Sequence, residues 1–144
     1  MSIFTENELD YLQKQRLGRL ATVDIHGNPH VVPVGFRYNP GKDTIDIGGH
    51  HFAETKKWRD AGRHPRVAFV VDDVLPPWQA RGIQIQADAE LLEHGGEQFP
   101  IPGFAPQIMR LHPVKIIAWG IDEQKQSRKI AGAEKNPSQN HVIV

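Results

Sequence analysis

The sequence predicts a mainly β domain: an antiparallel barrel or sandwich with two short peripheral helices. Three observations carry this. Short runs rich in β-branched and aromatic residues are separated by Gly, Pro, Asn and Asp, about six runs in all. They follow one another without the regular strand–helix alternation of a parallel sheet. Only two short segments are compatible with helix. The 144 residues suit one domain with its own core and show no internal repeat.

The first helix lies in "FTENELDYLQKQRLG". Thr5 is its expected N-cap, Glu8 completes a capping box, and Phe4 and Leu9 stand at the staple positions. Gly18 is the expected helix end. A meander of three strands follows, "RLATV", "HVVPVGFRY" and "TIDIG", joined by "DIHGN" and "NPGKD". Pro33 cannot donate to a ladder, so its stretch should be an edge, a bulge or a site. "HFAETKKWRDAG" is the second helix-compatible segment. "RVAFVVDD" is nearly continuous in apolar residues and predicts a strand buried on both faces. "DVLPPWQ" is a proline-marked loop. "RGIQIQADAELLE" alternates, with Ile83, Ile85, Ala87 and Ala89 on one face. "HGGEQFPIPGFAP" is an irregular excursion, and "IMRLHPVKIIAWGID" a last strand interrupted near Pro113. Residues 1–122 are expected to form the domain. Residues 123–144, with the apolar end "HVIV", should be a tail that is flexible or docks on a partner.

Composition excludes several classes. Lys plus Arg and Asp plus Glu each number 17, so there is no basic excess for a general nucleic-acid binder. There is no cysteine, hence no disulfide, thiolate nucleophile or zinc–thiolate site. No run approaches the ~20 apolar residues of a membrane span, and the N-terminus lacks a signal-peptide core. A cytoplasmic protein is expected. The serines, Ser2, Ser127 and Ser138, lie near the ends, with no G-x-S-x-G elbow, P-loop or G-x-G-x-x-G. No catalytic residue stands out. If the chain is an enzyme, a bound cofactor should supply the reactive atom.

The segment "GGHHFAETKKWRD" gathers cations beside a glycine pair. At a helix start, Thr55, Lys56 and Lys57 would surround free N–H groups and the positive dipole end, which suits a phosphate. Gly49 would let a flat ligand approach the backbone. The same lysines also fit a solvated helix face. His50 and His51 are adjacent, and on a strand would point to opposite faces, so no metal site is expected. Trp78 and Trp119 could border a flat ring.

In order and spacing these segments resemble the pyridoxamine 5'-phosphate oxidase-like proteins, over roughly residues 4–122. The stretches "LGRLATV", "PHVVPVGFRY", "KKWRD" and "VVDD" followed by "PPWQARGI" are similar to the actinobacterial branch that uses coenzyme F420, an 8-hydroxy-5-deazaflavin. The resemblance implies a split β-barrel of the FMN-binding type, working as a homodimer with sites at the subunit interface. It implies that Thr55-Lys56-Lys57 hold the cofactor phosphate and that Val32, Pro33 and Val34 line the ring through their backbone. Gly49, His50 and His51 would border ring and ribityl chain, with Arg81, Trp78 and Trp119 completing the site. Where the authentic oxidases carry Ser-Arg-Lys this chain has Thr55-Lys56-Lys57, and their glutamine is Gly82 here. The implied activity is hydride transfer from F420 to a small unsaturated or conjugated substrate, with His50, His51 or water as proton donor. Arg59 and Arg63 would suit the oligoglutamate tail of F420. The alternatives are an FMN-dependent reductase or oxidase of the same fold, and a non-catalytic flavin- or haem-binding protein with His50 or His51 as axial ligand.

Overall fold

The computed structural model describes residues 1–130. Helix α1 (Glu6–Lys14) starts where the sequence marks it. The Thr5 hydroxyl accepts from the Glu8 amide, and the Glu8 carboxylate accepts from the Thr5 amide at 3.0 Å. Two otherwise orphaned donors are thereby satisfied. Phe4 is buried and Leu9 packs on the core. The other end differs from expectation. The helix stops at Lys14 and the chain is extended at Gln15. Gly18 lies inside strand β1 (Leu17–Val23), where a Cβ would overlap the Phe69 ring. It is a packing glycine, and sequence pattern does not distinguish that role from a cap.

Strands β1, β2 (Pro29–Asn39) and β3 (Thr44–Gly48) form the expected meander. A 3₁₀ turn (Phe52–Glu54) and helix α2 (Lys56–Arg63) lead to β4 (Arg66–Leu75), β5 (Gln79–Leu92) and β6 (Ile108–Trp119). The strands run in the order β3-β2-β1-β4-β5-β6, and β3 pairs back onto β6. Six antiparallel strands therefore close into a barrel, as expected of a split barrel. Leu20, Ile45, Ile47, Phe69, Ile83, Ile85, Met109, Leu111 and Ile116 fill it. Helix α1 leans on β2, and α2 lies against β1 and β5.

Pro33 sits where its missing N–H costs nothing. β3 pairs with β2 only from Gly35 to Asn39, so the stretch before Gly35 is an edge on that side. The ladder between β5 and β6 slips between Gln86 and Ala87, opposite Lys115 and Pro113. This is the expected interruption. β4 is less buried than its sequence suggests. Val67, Phe69 and Val71 face the core, whereas Ala68 and Val70 are half-buried on the outside. The run reads as continuous because its outward residues are also apolar.

The chain beyond Asp122 is not all tail. Residues Gln126–Lys129 form β7 on the free side of β6. Arg128 reaches α1 and donates to both carboxylate oxygens of Glu8 and to the Ile3 carbonyl. Glu8 is fully buried, so it needs that charge. Periodicity gave no sign of so short a strand. The apolar end "HVIV" and its docking on a partner lie outside the described residues.

The closing ladder has three rungs: Ile45↔Leu111, Asp46↔Arg110 and Ile47↔Met109. Asp46 is buried. Arg110 grips it with Nε at 3.0 Å and Nη2 at 3.3 Å, and Asn39 donates to it at 2.9 Å. Arg110→Met should lower the unfolding free energy, measured by denaturant titration, by about 3 kcal/mol, because it strands a buried carboxylate. Adding Asp46→Leu to that variant should recover much of the loss. A loss below about 1 kcal/mol would show that the remaining partners suffice.

Candidate functional site

Thr55 is the N-cap of α2. Its hydroxyl donates to the Phe52 carbonyl at 2.7 Å and accepts from the Trp58 amide at 3.4 Å. The hydroxyl thus fixes the step from the 3₁₀ turn into the helix. The two lysines that follow are not equivalent: only Lys56 has a carboxylate, Asp60, four residues on along the helix. Lys56 Nζ lies 2.9 Å from the buried Asp60 carboxylate and 3.7 Å from Asp24. Lys57 turns the other way and sits over the Phe52 ring, 5.5 Å from its centroid. It is partly buried and makes no ion pair among the described residues. Burial lowers its pKa below the ordinary lysine value. A partly desolvated cation with no counter-ion, in the first turn of a helix, gains more from an anion than a solvated one does. Lys57 therefore fits a phosphate, while Lys56 is committed to carboxylates.

Gly49, His50 and His51 follow β3. The Gly49 carbonyl accepts from the Ala105 amide at 2.9 Å. His50 Nδ1 lies 2.9 Å from the Gly103 carbonyl, and the ring meets Phe104 edge-on at 5.0 Å. A carbonyl only accepts, so Nδ1 carries hydrogen and the neutral ring offers Nε2 as an acceptor. His51 takes a left-handed conformation, φ 50°, with its exposed ring 3.4 Å from Glu54. The excursion around residues 99–107 thus fastens this step, a role that sequence pattern did not reveal. Residues Val32, Pro33 and Val34 lie on β2. The Val34 side chain is in the core, so it offers a ligand its backbone, and Val32 is half-buried. Pro33 is exposed on the outer face.

Arg81 is committed to Asp73 through two bonds of 2.7 and 2.9 Å, and its guanidinium stacks 4.9 Å from the Tyr11 ring centroid. The Tyr11 hydroxyl donates to the same carboxylate at 2.9 Å. Burial and then that bond raise the Tyr11 pKa. Trp119 lies over Gly82, where a Cβ would come within 2.6 Å of its ring. That is a packing reason for glycine at this position. Trp78 stands at the tip of the β4–β5 hairpin and is 78% exposed.

The expected residues fall into two groups. Lys56 meets Asp24 just beyond the end of β1. Arg19↔Val70 and Asp73↔Arg81 put Arg81 level with Arg16, just before the start of β1. The strand between them has 7 residues, which at strand rise amounts to about 23 Å. One chain does not gather Lys57, Arg81, Trp78 and Trp119 around one phosphate. Among the described residues no group of three or more His, Asp or Glu side chains is placed to hold a metal ion. No described helix is long and apolar enough to cross a membrane.

The family model for pyridoxamine 5'-phosphate oxidase matches residues 4–120. The chain belongs to the pyridoxamine 5'-phosphate oxidase family. It is 42% identical over 121 residues to a 5a,11a-dehydrotetracycline/5a,11a-dehydrooxytetracycline reductase of Streptomyces rimosus, covering 83% of this chain and 84% of that protein. Family and relative together place it among the oxidoreductases. The barrel is similar to General Stress Protein 26 of Bacillus anthracis, with TM-score 0.66, 18% identity, and 87% and 97% of the two chains covered. It is also similar to a conserved hypothetical protein of Mycobacterium tuberculosis, with TM-score 0.65, 20% identity, and 82% and 86% covered. At these identities the two structures speak for the fold alone.

The division between the lysines is testable without a ligand. Lys56→Met should destabilise the protein by about 1–3 kcal/mol, because Asp60 loses its charge partner. Lys57→Met should leave the melting temperature unchanged or raise it. The depressed Lys57 pKa means that its charged form is disfavoured in the fold. Stability of the wild type should therefore rise as pH climbs through that depressed value toward the ordinary lysine pKa. Lys57→Met should lose this rise, and equal melting behaviour of the two variants across pH would overturn the division.

Proposed function

We propose that the protein is a reductase that binds coenzyme F420 and acts as a homodimer on an unsaturated, conjugated ketone. The observation that carries the reading is Lys57, partly buried and without a counter-ion among the described residues, in the first turn of α2. The branch resemblance at "KKWRD" and "PPWQARGI" favours F420 over FMN. The reductase relative supports a polycyclic, conjugated substrate. When bound, the deazaflavin supplies a carbon that carries hydride and reacts poorly with oxygen. The chain's part is to hold the phosphate at Lys57, keep the ring against the backbone of β2 and exclude water. His50, tied to Gly103, positions the ring edge and offers an acceptor. The proton that completes reduction comes from solvent or from His51.

A homodimer is supported by the separation of the two groups of site residues. A two-fold pair brings one copy's Arg81, Trp78 and Trp119 toward the other copy's Lys57. The outer face of the barrel suits such contact. Val31 is 64% exposed, and Ala21 and Ala68 continue the apolar strip across β1 and β4, up to Gln86 on β5. Val74, Leu75 and Trp78 expose the β4–β5 hairpin tip.

A second reading, haem binding, has one observation in its favour: an imidazole whose Nδ1–H is held by a carbonyl is oriented as metal-ligating histidines are. Titration of the purified protein with F420, FMN and haem separates the readings. F420 should bind most tightly, and Lys57→Met should weaken it by about ten- to a hundredfold. Tighter FMN binding, or a Soret shift lost in His50→Ala, would transfer the site to the corresponding alternative. Sedimentation should show a dimer at micromolar concentration, and a clean monomer would remove the shared site.

A further inference from the structure

A cavity of about 560 Å³ lies between the end of α1, the outer face of β2 and the excursion after β5. Its volume falls within the range of small-molecule sites. Gly35 forms part of its floor, and Phe99 and Ile101 line the side toward the excursion. The Phe99 ring packs against Phe104 at 5.2 Å, tilted by 46°. Both rings rest on Gly48, the cross-strand partner of Gly35, where a Cβ would come within 3.0 Å of each. The bare glycine rung therefore sets the aromatic wall close to the sheet and gives the cavity a flat side.

Two arginines, Arg16 and Arg37, line the same cavity, and no Asp or Glu does among the described residues. Arg16 makes no ion pair and no side-chain hydrogen bond among the described residues. Arg37 is held by Gln98 at 2.9 Å and stands 3.9 Å from Asp46. Asp46 is already gripped by Arg110 through both oxygens, so the Arg37 charge is poorly compensated. Gly35 is two residues from Pro33 and faces the same side of β2. The cavity therefore begins about 7 Å along the strand from the place proposed for the cofactor ring.

We infer that this cavity is the substrate seat and selects a flat, polycyclic anion, an enolate or carboxylate, held against the aromatic wall by Arg16 and Arg37. The inference rests on the oxidoreductase reading for its purpose, but binding tests it without cofactor. Anthraquinone-2-carboxylate and its uncharged isostere anthraquinone-2-carboxamide are titrated into the full chain. The carboxylate should bind about tenfold more tightly. Arg16→Ala, which breaks no ion pair or side-chain hydrogen bond among the described residues, should remove most of that preference and leave the carboxamide unchanged. Gly35→Ala places a Cβ at ordinary contact distance, 3.5 Å from Phe104, so the fold tolerates it. It should weaken both probes. Equal binding of the two probes, indifference to Arg16→Ala, or probe binding that splits the dimer would each overturn the inference, the last by showing that a second copy fills the cavity. F420 titration of the same variants keeps the readings apart. Probe failure with intact F420 binding overturns the substrate seat alone, and probe binding without F420 binding overturns the cofactor reading alone.

Discussion

The short ladder between β3 and β6 is the constraint on which the site depends. β3 has 5 residues, all buried, and its outer neighbour comes from the far end of the domain. Hydrogen bonding alone is a small net gain for so few rungs. The middle rung adds the buried Asp46–Arg110 pair, in which both charges and most of their hydrogen-bonding capacity are matched. With that rung in place the sheet has no free edge at β3. The chain leaves β3 at Gly48 in a fixed position, and everything from Gly49 to Lys57 hangs from that exit. Asp46 also links the closure to the cavity, because Arg37 shares it.

The segment after the exit shows how neighbouring residues acquire separate tasks. Thr55 caps the helix, Lys56 neutralises a buried carboxylate, and Lys57 is left over an aromatic ring with no counter-ion among the described residues. The first two make the local structure and the third is free to use it. A similar economy holds at the other end of the barrel, where Asp73 binds Arg81 and Tyr11 together and Gly82 makes room for Trp119. Arg81 is thus preorganised by an ion pair, and an anion arriving there must share it with Asp73.

Much of the fold was legible in the sequence because the signals were local. The capping box at Thr5 and Glu8, the alternation of Ile83, Ile85 and Ala87, and the prolines at 33 and 113 each report backbone conformation within a few residues. The signals failed where one residue type serves two purposes. Gly18 looked like a helix cap and is a packing glycine against Phe69. The run "RVAFVVDD" looked buried on both sides because its outer face is apolar. β7 was missed because four residues with two cations carry no usable period.

The sequence by itself determined the strand order along the chain, the first helix, the absence of thiol chemistry and the cationic helix start. Those follow from composition and short-range pattern. The tertiary structure decided how fully Lys56 is engaged, because Asp24 joins its in-helix partner Asp60 through the packing of α2 on β1 and Asp60 is buried there. Only the register of the barrel, with the Lys56–Asp24 contact, showed that the start of α2 and Arg81 lie at opposite ends of it. Only the folding of the excursion onto Gly48 and His50 made a cavity of residues far apart in the chain. Long-range contacts set these distances, and one-dimensional spacing carries no record of them.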